Sequence, residues 1–158
     1  MRIYLTQHGL AIPKEIDPQR PLSEQGVDDV RRLAEFLRRA GLQVGRVLHS
    51  GKLRAEQTAL LLADALGSAD RPDGRSGLAP NDPVEPLAKE LDVWSEDTLL
   101  VGHLPYLGRL ASLLLGSGAD RPVLAFHPGS MACLERDEDG RWSLAWMIRP
   151  EILGPTGD

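Results

Sequence analysis

Two histidines and one arginine are spaced along this sequence so that they could act together on a phosphoryl group. His8 ends an apolar run, Ile-Tyr-Leu-Thr-Gln-His-Gly-Leu over residues 3–10, and His103 follows a second run, Thr98 to Gly102. Arg54 opens a helix-like stretch just after the strand-like run Val44 to His49. A neutral imidazole is a nucleophile that can carry a phosphoryl group covalently. An arginine binds phosphate oxygens in pairs and stabilises the charge of the transition state. A second histidine can donate a hydrogen bond to phosphate or assist proton transfer. Each residue also has a plainer reading, as a satisfied histidine at a strand end or as an arginine in a surface ion pair.

Bringing the three together requires a particular set of elements. Ile3 to Gln7 is a β-branched and aromatic run, a buried strand that stops where His8 leaves it. Gly9 lets the chain turn and lets another group approach closely. Ala11 to Leu22, with Pro13, Pro18 and Pro21, is an ordered loop that carries Lys14 and Arg20. Ser23 caps a helix that runs to about Ala40, with Val27, Val30, Leu33, Ala34 and Leu37 on one face and a solvated cluster of arginines elsewhere. Gly41 stops it. After the second strand, Ser50 is the expected cap of a helix over 52–66, which places Arg54 near its positive end. Ser68 to Pro83 reads as a long loop, and Glu85 to Trp94 as a weaker helix. Pro105 suits the first turn of a helix whose apolar face is Leu107, Leu110, Ala111 and Leu114. Val123 to Phe126, Met131 to Arg136 and Arg141 to Ile148 are strand-like. Asp139-Gly140 is a hairpin turn, and Trp142, Leu144, Trp146 and Ile148 alternate. The order argues an α/β fold of three layers, α/β/α, around a mixed, mainly parallel sheet. In such a sheet the three residues meet along one edge, outside the carboxyl ends of the strands.

Composition narrows the classes. A chain of 158 residues fits one domain, expected over 1–150 with a frayed tail over 151–158. The net charge of −5 gives no footprint for nucleic acid or an anionic membrane. No stretch reaches the roughly 18 apolar residues of a membrane span. The single cysteine, Cys133, allows no internal disulfide and reads as a buried structural thiol. The N-terminus reads as a strand rather than a signal peptide, so a cytoplasmic protein is the expectation. No Walker loop or GxGxxG is present, and the histidines have no matching carboxylate or cysteine set for a metal, so no metal and no cofactor is expected.

Four stretches together carry a specific resemblance: Tyr4-Leu5-Thr6-Gln7-His8-Gly9; Arg20-Pro21-Leu22-Ser23-Glu24-Gln25-Gly26; Val47-Leu48-His49-Ser50 with Leu53-Arg54-Ala55-Glu56-Gln57-Thr58-Ala59; and Leu100-Val101-Gly102-His103-Leu104-Pro105. In that order they resemble the histidine phosphatase superfamily, of phosphoglycerate-mutase-like fold. Within it they resemble the small bacterial SixA-type phosphohistidine phosphatases. The resemblance covers residues 1–149 and implies that His8 is the nucleophile of a covalent phosphohistidine intermediate. Arg54 and His103 then line the phosphate pocket, with Gln7, Gly9, Arg20 and Ser50 around the phosphate; for Arg20 a role as loop anchor is the alternative. The chain departs from the family signature Arg-His-Gly in having Gln7 where the arginine belongs. Mutase-like relatives take a general acid from the segment after the second helix, where Asp82 and Glu85 are the nearest candidates. His49 reads as structural, and His127 as peripheral to the last pocket-bordering loop.

The resemblance implies a metal-independent phosphatase acting on a phosphorylated protein of the histidine-containing phosphotransfer type. Such a substrate needs little help from an acid, because its leaving imidazole can take a proton from water. The rival readings are a phosphomonoesterase or mutase acting on a small phosphate ester, and a phosphate-binding regulator without turnover.

Overall fold

The computed structural model describes residues 1–155. Six strands form one sheet in the order β3-β2-β4-β1-β5-β6. They are β1 (Arg2–Gln7), β2 (Arg46–His49), β3 (Asp73–Gly74), β4 (Thr98–Gly102), β5 (Met131–Arg136) and β6 (Trp142–Ile148). The pairs β3·β2, β2·β4 and β4·β1 are parallel, and β1·β5 and β5·β6 antiparallel. The mixed, mainly parallel sheet is the one expected from the β-α alternation.

Helices cover both faces. On one lie α1 (Glu24–Arg39) and α2 (Leu53–Ala65), packed against Tyr4, Val47, Leu99, Val101, Met131 and Cys133. On the other lie α3 (Glu85–Leu91) and α4 (Tyr106–Leu114), packed against Ile3, Leu5, Leu48, Leu100, Ala132 and Leu134. Alternate residues of β1 face opposite layers, as a strand of period two requires. Helix α1 starts where Ser23 accepts a hydrogen bond from the Gly26 N–H (3.0 Å), and it buries Val30, Leu33, Ala34 and Leu37. Each large side chain so buried stabilises by about 1.5–3 kcal/mol.

The fold departs from the sequence expectations in several places. Residues 68–83 are not wholly loop: Asp73 and Gly74 pair with Leu48 and His49 as the short edge strand β3. Helix α3 ends at Leu91, before Trp94. Val123 to Phe126 forms no strand, because both edges of β1 are taken by β4 and β5 and the segment lies between Pro122 and Pro128. In β6 an irregularity opposite Cys133 and Leu134 breaks the alternation. Trp146 therefore packs toward the α1/α2 layer and Trp142 toward the α3/α4 layer. The tail is docked as far as it is described: Pro150–Ile152 is a 3₁₀ turn with Pro150 buried, and Arg32 donates to the Gly154 carbonyl (3.2 Å). That bond and its pairing with Asp29 take Arg32 out of the solvated arginine cluster. The remainder of the expected tail, 156–158, lies outside the described residues.

Candidate active site

The site is built by strand ends. Register pairs Gln7 with Gly102, the last residues of β1 and β4, so His8 and His103 both leave the sheet one step beyond it. The His8 N–H donates to the Gly102 carbonyl (3.0 Å), which fixes the exit of the first strand against the second. The two imidazoles stand 5.0 Å apart between centroids. The N-terminus of α2 brings Arg54 to the same place, its Nε–H directed at His8 Nε2 (3.4 Å). The three residues singled out by type and spacing are thus brought together.

His8 is buried, and its ring is held in one tautomer. Nδ1 lies 2.7 Å from the Gly9 carbonyl oxygen, which can only accept, so Nδ1 carries the hydrogen and Nε2 presents its lone pair to Arg54. Burial, with the Arg54 and Arg20 guanidinium charges adding to it, lowers His8 to about 4, although the Gly9 carbonyl opposes the shift. His103 is lowered to about 3, first by burial, then by the charges of His8, Arg54, Lys52 and Arg20. Both rings are therefore neutral near pH 7. Burial and the neighbouring Arg20 lower Arg54 as well, though a guanidinium stays charged in water at any ordinary pH.

The charges that act on the two histidines from other residues are thus all cationic, from Arg20, Lys52 and Arg54. Asp82 is tied into its own turn by the Ala79 N–H (2.9 Å), and its charge and that of Glu85 act on Tyr106 in the α3/α4 layer. Neither acid candidate is hydrogen-bonded to His8 or His103. Among the described residues no group of three or more His, Cys, Asp or Glu side chains comes together as a metal site.

The remaining expected residues fall as follows. Ser50 does not cap α2; the cap position is Lys52, without a side-chain bond, and Ser50 Oγ instead meets His103 Nε2 at 2.6 Å. That contact leaves His103 Nδ1 buried without a partner. Arg20 lies close enough for its charge to act on both histidines and on Arg54. It holds a left-handed backbone (φ 49°), a conformation that costs a non-glycine residue about 1–2 kcal/mol. Its Nε also donates to the Ile12 carbonyl (3.3 Å), a bond that anchors the loop as the alternative reading expects. Gly9 is required by close approach, since a Cβ there would lie 2.9 Å from Val30 Cγ2 and 3.0 Å from the Gly26 carbonyl oxygen. Gln7 ends β1 with its Oε1 buried and unpartnered. His49 is structural: buried in β2, its Nδ1 accepts from the Gly51 N–H (3.1 Å). His127 is exposed, in a turn closed by Ser130.

Sequence reasoning uses the Arg54 to Ala59 stretch for Arg54 alone, and the structure adds two residues. Gln57 Oε1 accepts from the Leu22 N–H (2.7 Å), pinning the loop that carries Arg20. Thr58 Oγ1 accepts from the Gly9 N–H (3.0 Å). The sequence signal for both is their spacing from Arg54, three and four residues on, which places them beside it on one side of the helix.

Comparison with known proteins agrees with this geometry. The family model described as histidine phosphatase superfamily (branch 1) matches residues 3–79. The chain is 29% identical over 155 residues to the phosphohistidine phosphatase SixA of Escherichia coli (strain K12), covering 95% of this chain and 94% of that protein. It is 34% identical over 122 residues to an uncharacterized protein of Picosynechococcus sp., covering 72% of this chain and 73% of that one. The solved structure of the protein histidine phosphatase SixA complexed with tungstate matches with a TM-score of 0.85 at 27% identity, over 97% of this chain and 99% of that one. The family match takes in His8, Arg20, Ser50 and Arg54, the likeness to SixA runs on past His103, and the chain belongs to the histidine phosphatase superfamily.

Proposed function

We propose that the chain is a metal-independent phosphohistidine phosphatase of the cytoplasm, acting through a phosphoryl group carried on His8 Nε2. In the first step Nε2 attacks the phosphorus of a phosphohistidine on another protein. The P–N bond to that protein breaks, and its imidazole nitrogen takes a proton from water. In the second step water attacks the phosphoryl group on His8, the P–Nε2 bond breaks, and inorganic phosphate leaves. Throughout both steps Nδ1–H stays on the Gly9 carbonyl. Arg54 turns its guanidinium from Nε2 to the phosphoryl oxygens, and Arg20 adds charge from the pocket edge.

The observation that carries this reading is a neutral, oriented His8 in a pocket whose neighbouring charges are all cationic. Cations favour a phosphoryl group, and the guanidinium of Arg54 or Arg20 is a poor general acid toward an alkoxide leaving group near pH 7. A phosphoramidate with a protonatable imidazole asks least of such a site. The likeness to SixA, a phosphohistidine phosphatase by name and one solved with a tetrahedral oxyanion, supports the same substrate class.

The deciding measurement is hydrolysis of a phosphohistidine protein and of an aryl phosphate, in the presence of EDTA. Turnover of the first in clear preference to the second is the expected result. A preference for the ester would move the reading to a small-molecule phosphatase, and no turnover of either to a binding protein. Asp82→Asn and Glu85→Gln should each leave phosphohistidine turnover within about twofold, the scale of a remote substitution worth under ~0.5 kcal/mol. A large loss in either variant would make that carboxylate the acid. Gln7→Arg should tighten inorganic phosphate by roughly fivefold, the ~1 kcal/mol difference between a neutral and a charged donor. Calorimetric titration reads this directly, and an unchanged affinity would show that Gln7 does not occupy the missing arginine's role.

A further inference from the structure

We infer that Thr58 is a positioning residue that holds the tautomer of His8 and ties the nucleophile to the backbone of Arg54. The inference rests on the proposed role of His8 and concerns a residue that touches neither phosphate nor the reacting nitrogen.

Thr58 is fully buried in the second turn of α2. Its hydroxyl donates to the Arg54 carbonyl one turn earlier (2.8 Å), which commits the only hydrogen it has. The oxygen is then free to accept, and the Gly9 N–H donates to it (3.0 Å). Gly9 in turn offers its carbonyl to His8 Nδ1 (2.7 Å). A single chain of hydrogen bonds thus runs from Arg54 through Thr58 and Gly9 to the imidazole.

The direction of each bond matters. Because the hydroxyl hydrogen is spent on Arg54, Thr58 can act toward Gly9 only as an acceptor. A Gly9 residue anchored by its N–H keeps its carbonyl aimed at Nδ1, and the carbonyl allows hydrogen only on that nitrogen. The ring is then left with a lone pair on Nε2, where the phosphoryl group must bond. The opposite tautomer carries hydrogen on Nε2 and cannot attack.

Thr58→Val keeps the shape of the side chain and removes the hydroxyl, and Thr58→Ser keeps the hydroxyl and removes a methyl group. In the valine variant the rate of phospho-His8 formation should fall on the order of 10- to 100-fold, while affinity for inorganic phosphate stays within about threefold. Two-bond nitrogen–proton NMR of the His8 ring should show one tautomer, with hydrogen on Nδ1, in the wild type and a mixture in the valine variant. The serine variant should restore both the rate and the single tautomer. A valine variant that keeps the single Nδ1–H tautomer would overturn the inference. So would valine and serine variants that lose rate and phosphate affinity alike, since that pattern is loss of packing. The ring tautomer is read without turnover, so a failure of the phosphatase reading and a failure of this one are told apart.

Discussion

Replacing His8 with alanine should abolish phospho-enzyme formation and lower phosphohistidine turnover by at least about 10⁴-fold, the scale on which loss of a nucleophile acts in other covalent enzymes. The expectation follows from the absence of a substitute. His103 lies 5.0 Å away between ring centroids, but its Nε2 is engaged by Ser50 Oγ, and no other side chain presents a lone pair to Arg54 among the described residues. Acid quench of the wild type after a short exposure to phosphoryl donor should trap label on the chain, and the alanine variant should trap none. Inorganic phosphate should still bind the variant, because Arg54 and Arg20 remain. The same residue sets the pH dependence. An ordinary histidine with a value of 6.5 would lose its nucleophile as pH falls through 6.5, whereas His8, lowered to about 4 chiefly by burial, stays neutral down to that point. Ring titration of the free protein by NMR should find His8 still mostly neutral at pH 5. Turnover by the alanine variant within tenfold of wild type, or a His8 that titrates near 6.5, would contradict this account of the site.

The reach of sequence reasoning here is set by how local each signal is. The ends of β1 and β4 were legible because a buried strand writes itself as an apolar run and stops at the first residue that leaves the sheet, which is His8 in one and His103 in the other. Their meeting followed from parallel pairing, and register delivers it through Gln7 opposite Gly102. Ser50 departs from its expected use as a cap for a physical reason. A serine before a helix has a short-range use as a cap, and nothing nearby in sequence announces a hydrogen bond to a histidine 53 positions away. Strand β3 left no trace because two exposed residues, Asp73 and Gly74, pair through backbone alone and have no apolar pattern. The break in β6 was equally silent, since Trp142, Leu144, Trp146 and Ile148 alternate in sequence while one extra residue opposite β5 turns the strand over between them. Thr58 reads as an ordinary residue in the second turn of a helix, and its use depends on which donor the fold sets against it.

The second large effect should come from Arg54, and it should separate activity from stability. Arg54→Ala removes a preorganised donor from the position where charge develops, a loss of about 10²–10³ in rate. Arg54→Lys should recover only part of it, because an ammonium keeps the charge but not the paired N–H geometry that fits phosphate. Neither variant should lose stability. The guanidinium sits half-buried with no ion-pair partner among the described residues, its one side-chain hydrogen bond among them is the 3.4 Å approach to His8, and the neighbouring charge of Arg20 repels it. Burying a charge without a counter-ion costs free energy, so the alanine variant should melt at or above the wild-type temperature. Inorganic phosphate, by supplying the missing anion, should stabilise the wild type more than the variant. The His8 ring supplies a second readout. Arg54 is among the charges that lower it, so removing the guanidinium must move the His8 value upward from about 4. A variant that melted well below wild type would mean that Arg54 is held by the fold for its own stability. An unchanged His8 titration would mean that the two side chains do not sense each other in solution. The expected combination, slower chemistry in a chain at least as stable, is that of a residue kept unpaired so that a phosphoryl group can become its partner.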